Sequence, residues 1–163
     1  MNAARHHVHS LDAYFTAEAH ALDKHEWADG EIFLMAGGSP RHNALSANVL
    51  GVFTAGARGG PCRALSSDQR ISTGDGLYTY ADATLACGEL ALGRDQTLVN
   101  PAVLVEVLSD ATRAYDRGEK LSRYQRIPSL RHVLLVEQER VDVEHWRCVD
   151  GVWSRRVHTA LED

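Results

Sequence analysis

Glu106 sits inside Val103-Leu104-Val105-Glu106-Val107-Leu108, an apolar run with the composition of a buried strand. An ionised carboxylate there is costly unless it is paired, hydrogen-bonded or bound to a cation. Asp82, within Tyr78-Thr79-Tyr80-Ala81-Asp82-Ala83-Thr84-Leu85-Ala86, is a second acid in a strand-like segment, 24 residues earlier. That separation leaves room for two neighbouring strands and a connection, so both carboxylates can point to one side of a sheet. Paired carboxylate oxygens suit Mg²⁺ or Mn²⁺, hard cations that keep several waters. Lys120 falls in the first turn of an expected helix, 14 residues after Glu106. Its ammonium can neutralise charge, orient a water or stabilise a developing oxyanion. Tyr124 lies one turn further along the same helix face. Arg117, Arg123 and Arg126 are close enough in sequence to touch a phosphate.

These groups need elements to hold them. Ser10 caps an expected helix over 10–23, and Ser39 a second over 42–57, each followed by apolar residues at helical spacing. Residues 26–35 read as two strands joined by Asp29-Gly30. Residues 62–71, 77–87 and 102–108 read as strands, and Asp116-Arg117-Gly118-Glu119 as a capping box opening a helix through about Arg126. Residues 131–137 predict another buried strand, and the tail a hairpin around Asp150-Gly151. The expected class is α/β: a central mixed sheet flanked by helices, with a C-terminal β-hairpin. Residues 1–10, with His6, His7 and His9, read as a disordered tail, and 11–163 as one domain.

Composition narrows the function classes. The chain has 163 residues and a formal net charge of −5. The global balance is not that of a nucleic-acid binder, although local arginines can still contact phosphates. An acidic balance also suits carboxylates gathered around a divalent cation. No apolar stretch approaches the ~18 residues that span a membrane, and the N-terminus has no signal-peptide core. A cytoplasmic protein is expected. Cys62, Cys87 and Cys148 form no CxxC pair and read as reduced, packed thiols. Trp27, Trp146 and Trp153 read as packing residues.

Taken with their surroundings, Asp82, Glu106 and Lys120 resemble the catalytic set of the PD-(D/E)xK restriction-endonuclease-like superfamily. More narrowly, the chain resembles the Uma-type restriction endonucleases of bacteria. The matching stretches are Asp29-Gly30-Glu31 with 35–42; Ser67-Asp68; 77–82; Asn100-Pro101 leading to 105–109; 115–120 with Tyr124; and Ile127-Pro128-Ser129-Leu130. Two positions depart from the superfamily pattern. Ala81 stands where a proline precedes the acid, and Leu108 where a lysine follows the glutamate by two. The resemblance implies that the lysine has moved to the following helix, as Lys120. It implies a restriction-endonuclease-like fold and a Mg²⁺- or Mn²⁺-dependent endonuclease acting on DNA. Asp82 and Glu106 would then be metal ligands, and Lys120 the third catalytic group. Glu31, His42, Asp68 and Tyr124 would be secondary site residues.

Other readings stay open at this stage. Glu106 with Lys120 can be a structural ion pair, in which case the chain is a binding or assembly protein without turnover. A hydrolase of smaller phosphoesters is a third class. Asp116 and Glu119 read as helix caps rather than ligands. A homodimer would place two sites across a two-fold axis, which suits cutting both strands of a duplex.

Overall fold

The computed structural model describes residues 8–160. His6 and His7 lie outside them; His9 donates its backbone N–H to Gly30. Ser10 accepts from Ala13 N and opens α1 (Leu11–Glu18). Ser39 accepts from His42 N and opens α2 (Pro40–Ala57), with proline in the first turn. Helix α1 is shorter than its pattern predicts, because Glu18 turns back to accept from the backbone and ring of His25. Strands β1 (His25–Ala28) and β2 (Glu31–Leu34) form the expected hairpin. Asp29 at φ 49° and Gly30 at φ 98° supply the two positive dihedrals that such a turn requires.

Two runs that look like single strands are each divided between two sheets. Residues 62–71 become β3 (Cys62–Ser66) and β4 (Arg70–Ser72); residues 77–87 become β5 (Leu77–Tyr80) and β6 (Ala83–Cys87). The remaining strands are β7 (Val103–Leu108), β8 (His132–Glu137), β9 (Val143–Val149) and β10 (Val152–His158). A mixed six-stranded sheet has the order β10-β9-β8-β7-β6-β3, with β7 and β8 parallel. A second, four-stranded sheet has the order β2-β1-β5-β4. The mixed α/β architecture agrees with expectation, and the smaller sheet is an addition to it. The C-terminal hairpin, turning at Asp150-Gly151, extends the larger sheet through the β8–β9 pairing.

The expected reduced state of Cys62 and Cys87 is overturned: they form a disulfide between β3 and β6. Antiparallel register sets Cys62 opposite Cys87, a proximity that spacing of 25 residues does not reveal. Cys148 is a free thiol.

The third helix also starts differently. It runs as α3 (Arg113–Tyr115), a π-helical turn (Asp116–Lys120) and α4 (Leu121–Tyr124). Asp116 N donates to Thr112 O, so Asp116 lies inside the helical run and is buried. The predicted capping box therefore does not form; burial beside Lys120 replaces solvent exposure at a helix start. Glu119 pairs instead with Arg123, one turn on.

Strand alternation builds the core. Leu104 and Leu108 of β7 pack with Leu121 and Tyr124 of α4, joined by Val133, Leu135, Ile127 and Leu130. Truncating a buried leucine in such a cluster costs about 2–5 kcal/mol. Trp146 and Trp153 pack against its margin, and Trp27 meets Tyr78 edge-on. The other side of β7 carries Val105 and Val107 beneath α2. No helix among the described residues is long and apolar enough to cross a membrane.

Candidate metal and phosphate site

Glu106 points from β7 toward α4, on the same side as Leu104 and Leu108. Its Oε1 accepts from the Tyr124 hydroxyl at 2.5 Å and lies 3.1 Å from Lys120 Nζ. The π-turn sets Lys120 above the strand, where the side chain is almost wholly buried. Lys120 Nζ is also 3.0 Å from Glu26 Oε1 and 3.9 Å from Asp116 Oδ1. One ammonium thus joins acids from β7, β1 and its own helix.

Asp82 occupies the crossover where the chain leaves β5 and enters β6. The last β6–β7 pair is Ala83 with Val105. Beyond it the Val107 N–H is taken by Asp82 Oδ2 at 2.7 Å, so the carboxylate replaces a strand partner. His42, in the first turn of α2, places Nε2 at 3.3 Å from the same oxygen. Its Nδ1 is buried without a hydrogen-bond partner. The ring lies so close to the backbone that a Cβ on Gly38 would meet Nδ1 at 2.6 Å.

The electrostatics show too little positive charge. Burial pushes the Glu106 carboxyl up to about 8; Lys120 opposes this, while Asp82 and Asp116 add to it. Asp116 is raised by burial, against Lys120 and a hydrogen bond from Thr112. Lys120 is held well above its ordinary value: burial acts against its charge, but Glu106, Tyr124, Glu26 and Asp116 outweigh it. The acids around it favour its ammonium form. Without further positive charge, the acids relieve their repulsion by keeping a proton.

Geometry sorts the sequence candidates. Asp82, Glu106, Lys120, His42 and Tyr124 are gathered around the end of β7. Asp68 is not with them: its side chain is 84% exposed and pairs with Lys24. Glu31 stands at the start of β2, opposite Ala28. The acid from this hairpin that reaches Lys120 is Glu26, held by the Thr79 hydroxyl. Sequence reading missed it because Glu26 precedes Trp27 in a short polar strand without an apolar run to mark it as buried. Asp116 was visible but misassigned to a cap.

The arginines predicted to meet phosphate are engaged elsewhere. Arg117 bridges Glu137 and Glu144, Arg123 joins Asp29 and Glu119, and Arg126 binds Asp75.

Comparison with known proteins places the family and the fold. The family model "Uma2: Putative restriction endonuclease" matches residues 11–163. The "Uncharacterized protein slr1290" of Synechocystis sp. is 34% identical over 146 residues, spanning 88% of this chain and 77% of that protein. A second uncharacterized Synechocystis protein, sll1609, is 30% identical over 144 residues, 86% of this chain and 81% of that protein. A crystal structure titled as "a putative nuclease belonging to DUF820 from Anabaena variabilis" superposes with a TM-score of 0.75. It shares 14% identity and covers 93% of this chain and 84% of that one, a likeness of fold.

Proposed function

Because the chain belongs to the Uma2 family, whose description is that of a restriction endonuclease, we propose that it is a Mg²⁺- or Mn²⁺-dependent endonuclease hydrolysing DNA phosphodiester bonds. One observation carries the reading. Four carboxylates, Asp82, Glu106, Glu26 and Asp116, share one ammonium and one imidazole, and Glu106 is driven toward protonation. A divalent cation is the group that would let them ionise.

The donor set fits a hard cation. Among the described residues, no three His, Cys, Asp or Glu side chains are arranged as a metal cage. Mg²⁺ needs none, since it binds through one or two carboxylates and keeps its waters. We assign it to Asp82 and Glu106. When bound, such a cation lowers the pKa of a water and polarises a phosphoryl oxygen.

The chain's own groups do the rest. The Val107 N–H and His42 fix Asp82, leaving its second oxygen for the cation. The Tyr124 hydroxyl and Lys120 fix Glu106 through Oε1. Lys120, as its ammonium, donates hydrogen bonds and offsets charge on the scissile phosphate. Glu26 and Asp116 hold the ammonium in place. A cytoplasmic location belongs to the same proposal.

The test is cleavage of plasmid DNA with and without Mg²⁺. Asp82→Ala and Glu106→Ala are expected to lose it; activity surviving both substitutions rejects the assignment. A second reading, a nuclease fold used only for binding, is favoured by the ion pairs that hold Lys120 from three sides. Calorimetry showing no divalent-cation binding, with Glu106→Gln as stable as wild type, would establish it.

A further inference from the structure

Strand register places His132 and Leu134 of β8, His145 and Arg147 of β9, and Arg156 and His158 of β10 on the sheet face opposite Glu106. Helix α2 packs on this face over β3, β6 and β7, and beyond it Arg147, Ser154 and Arg156 are exposed. The acids of these strands, Glu137 and Glu144, turn to the other face, where they pair with arginines. Arg147 and Arg156 are exposed, and among the described residues the register sets no acid beside them on this face. The neighbouring stretch 40–67, which includes α2, contains no Asp or Glu in a chain of net charge −5.

The histidines report the same field. His132 Nδ1 lies 2.8 Å from His145 Nε2, so the pair shares a proton, and the His145 ring stacks on His158. Burial pushes the His145 imidazole down, and His132, His158, Arg147 and Arg156 push it further. His132 is lowered by burial and by Arg147. Every charged neighbour named here is basic. Such a face in an acidic protein is complementary to a polyanion.

We propose that the open face of β8–β10 is an auxiliary nucleic-acid contact, in which Arg147 and Arg156 bind backbone phosphates outside the cleavage site. The proposal rests on the nuclease reading for its choice of polyanion. The face looks away from Glu106, so it anchors the polymer and does not present the scissile bond. It also accounts for phosphate contact once Arg117, Arg123 and Arg126 are committed to carboxylates.

The test measures binding, not turnover. Fluorescence anisotropy of a labelled 20-base-pair duplex is recorded without divalent metal, for wild type and for Arg147→Glu/Arg156→Glu (about two turns of duplex accommodates a small domain). The double variant is expected to bind at least tenfold more weakly, with a salt-dependence slope smaller by about 2. Arg147→Gln/Arg156→Gln should show a smaller loss of the same kind, and unchanged melting temperatures would show intact folding. Unchanged affinity and slope would overturn the proposal, as would no duplex binding by wild type. Sedimentation that shifts in the variants while DNA affinity does not would assign the face to a second copy of the chain instead. If wild type binds DNA through these arginines but never cleaves it, the surface stands and the nuclease reading falls.

Discussion

Two groups of buried acids line the same side of the large sheet, and they differ in how their charge is met. Glu137 and Glu144 are balanced: Arg113 and Arg117 meet the first, Arg117 and Arg155 the second. The Glu144 carboxyl is held below its ordinary value, because arginine hydrogen bonds and charge outweigh burial. Around Glu106 the ratio is reversed, and its carboxyl rises to about 8. Burial pushes both carboxyls up, and the difference lies in what opposes it. The supply of nearby cations differs: two arginines meet each acid of the first group, whereas Lys120 alone is shared by Glu106, Glu26 and Asp116.

Substitutions should separate the two groups sharply. The largest effect is expected from Asp82→Ala, a loss of about 1,000-fold in Mg²⁺-dependent cleavage by single-turnover kinetics. Next, Arg117→Ala leaves Glu137 with Arg113 alone and Glu144 with Arg155 alone, and should lower unfolding free energy by about 3 kcal/mol in urea titrations. Lys120→Met should remove activity while leaving more acid than the site can ionise. Equal loss of stability and activity in the Asp82 and Arg117 variants would erase the distinction.

Ligand and pH effects follow in size. Mg²⁺ at 100 times its Kd should stabilise the protein by about 2.7 kcal/mol at pH 8, seen as a raised melting temperature, and Glu106→Gln should abolish the shift. In the metal-free protein the two groups titrate in opposite senses. Glu106 has a raised folded pKa, so its contribution is full below its ordinary 4.5 and is lost as pH climbs from 4.5 toward about 8. Glu144 has a lowered one, so its contribution is present above 4.5 and lost as pH falls through the depressed value. Glu106→Gln should flatten the fall in metal-free stability between pH 4.5 and about 8 and leave the Glu144 acid limb in place. The smallest effect is Gly38→Ala, which displaces the His42 ring at a cost of about 1 kcal/mol and should lower cleavage more than stability.

Much of this site was legible because its carriers violate their surroundings. Glu106 interrupts an apolar strand, and Lys120 with Tyr124 shares a helical face, so both patterns survive in one dimension. The hairpin turns were legible for the same reason, since Asp29-Gly30 and Asp150-Gly151 carry the backbone requirement in their own residue types. What stayed hidden depends on pairing between distant segments. Glu26 becomes a buried acid only because β1 lies beside β5. Cys62 meets Cys87 only through the β3–β6 register. The two long strand-like runs carry no mark of their sheet changes, at 67–69 and at Ala81-Asp82, because either half satisfies the same alternation. Asp116 carries a capping signal that its burial beside Lys120 overrides.

The sheet change has a mechanical consequence. Glu26 rides on the small sheet and Glu106 on the large one, and the chain hinges between them at Ala81-Asp82. Lys120 rivets the two layers, since one nitrogen grips an oxygen from each. Rocking of one layer on the other would load that rivet together with the hydrogen bond from Val107 N–H to Asp82. The spacing of Asp82 and Glu106 would therefore follow the angle between layers, and a group that bridged them would stiffen the joint.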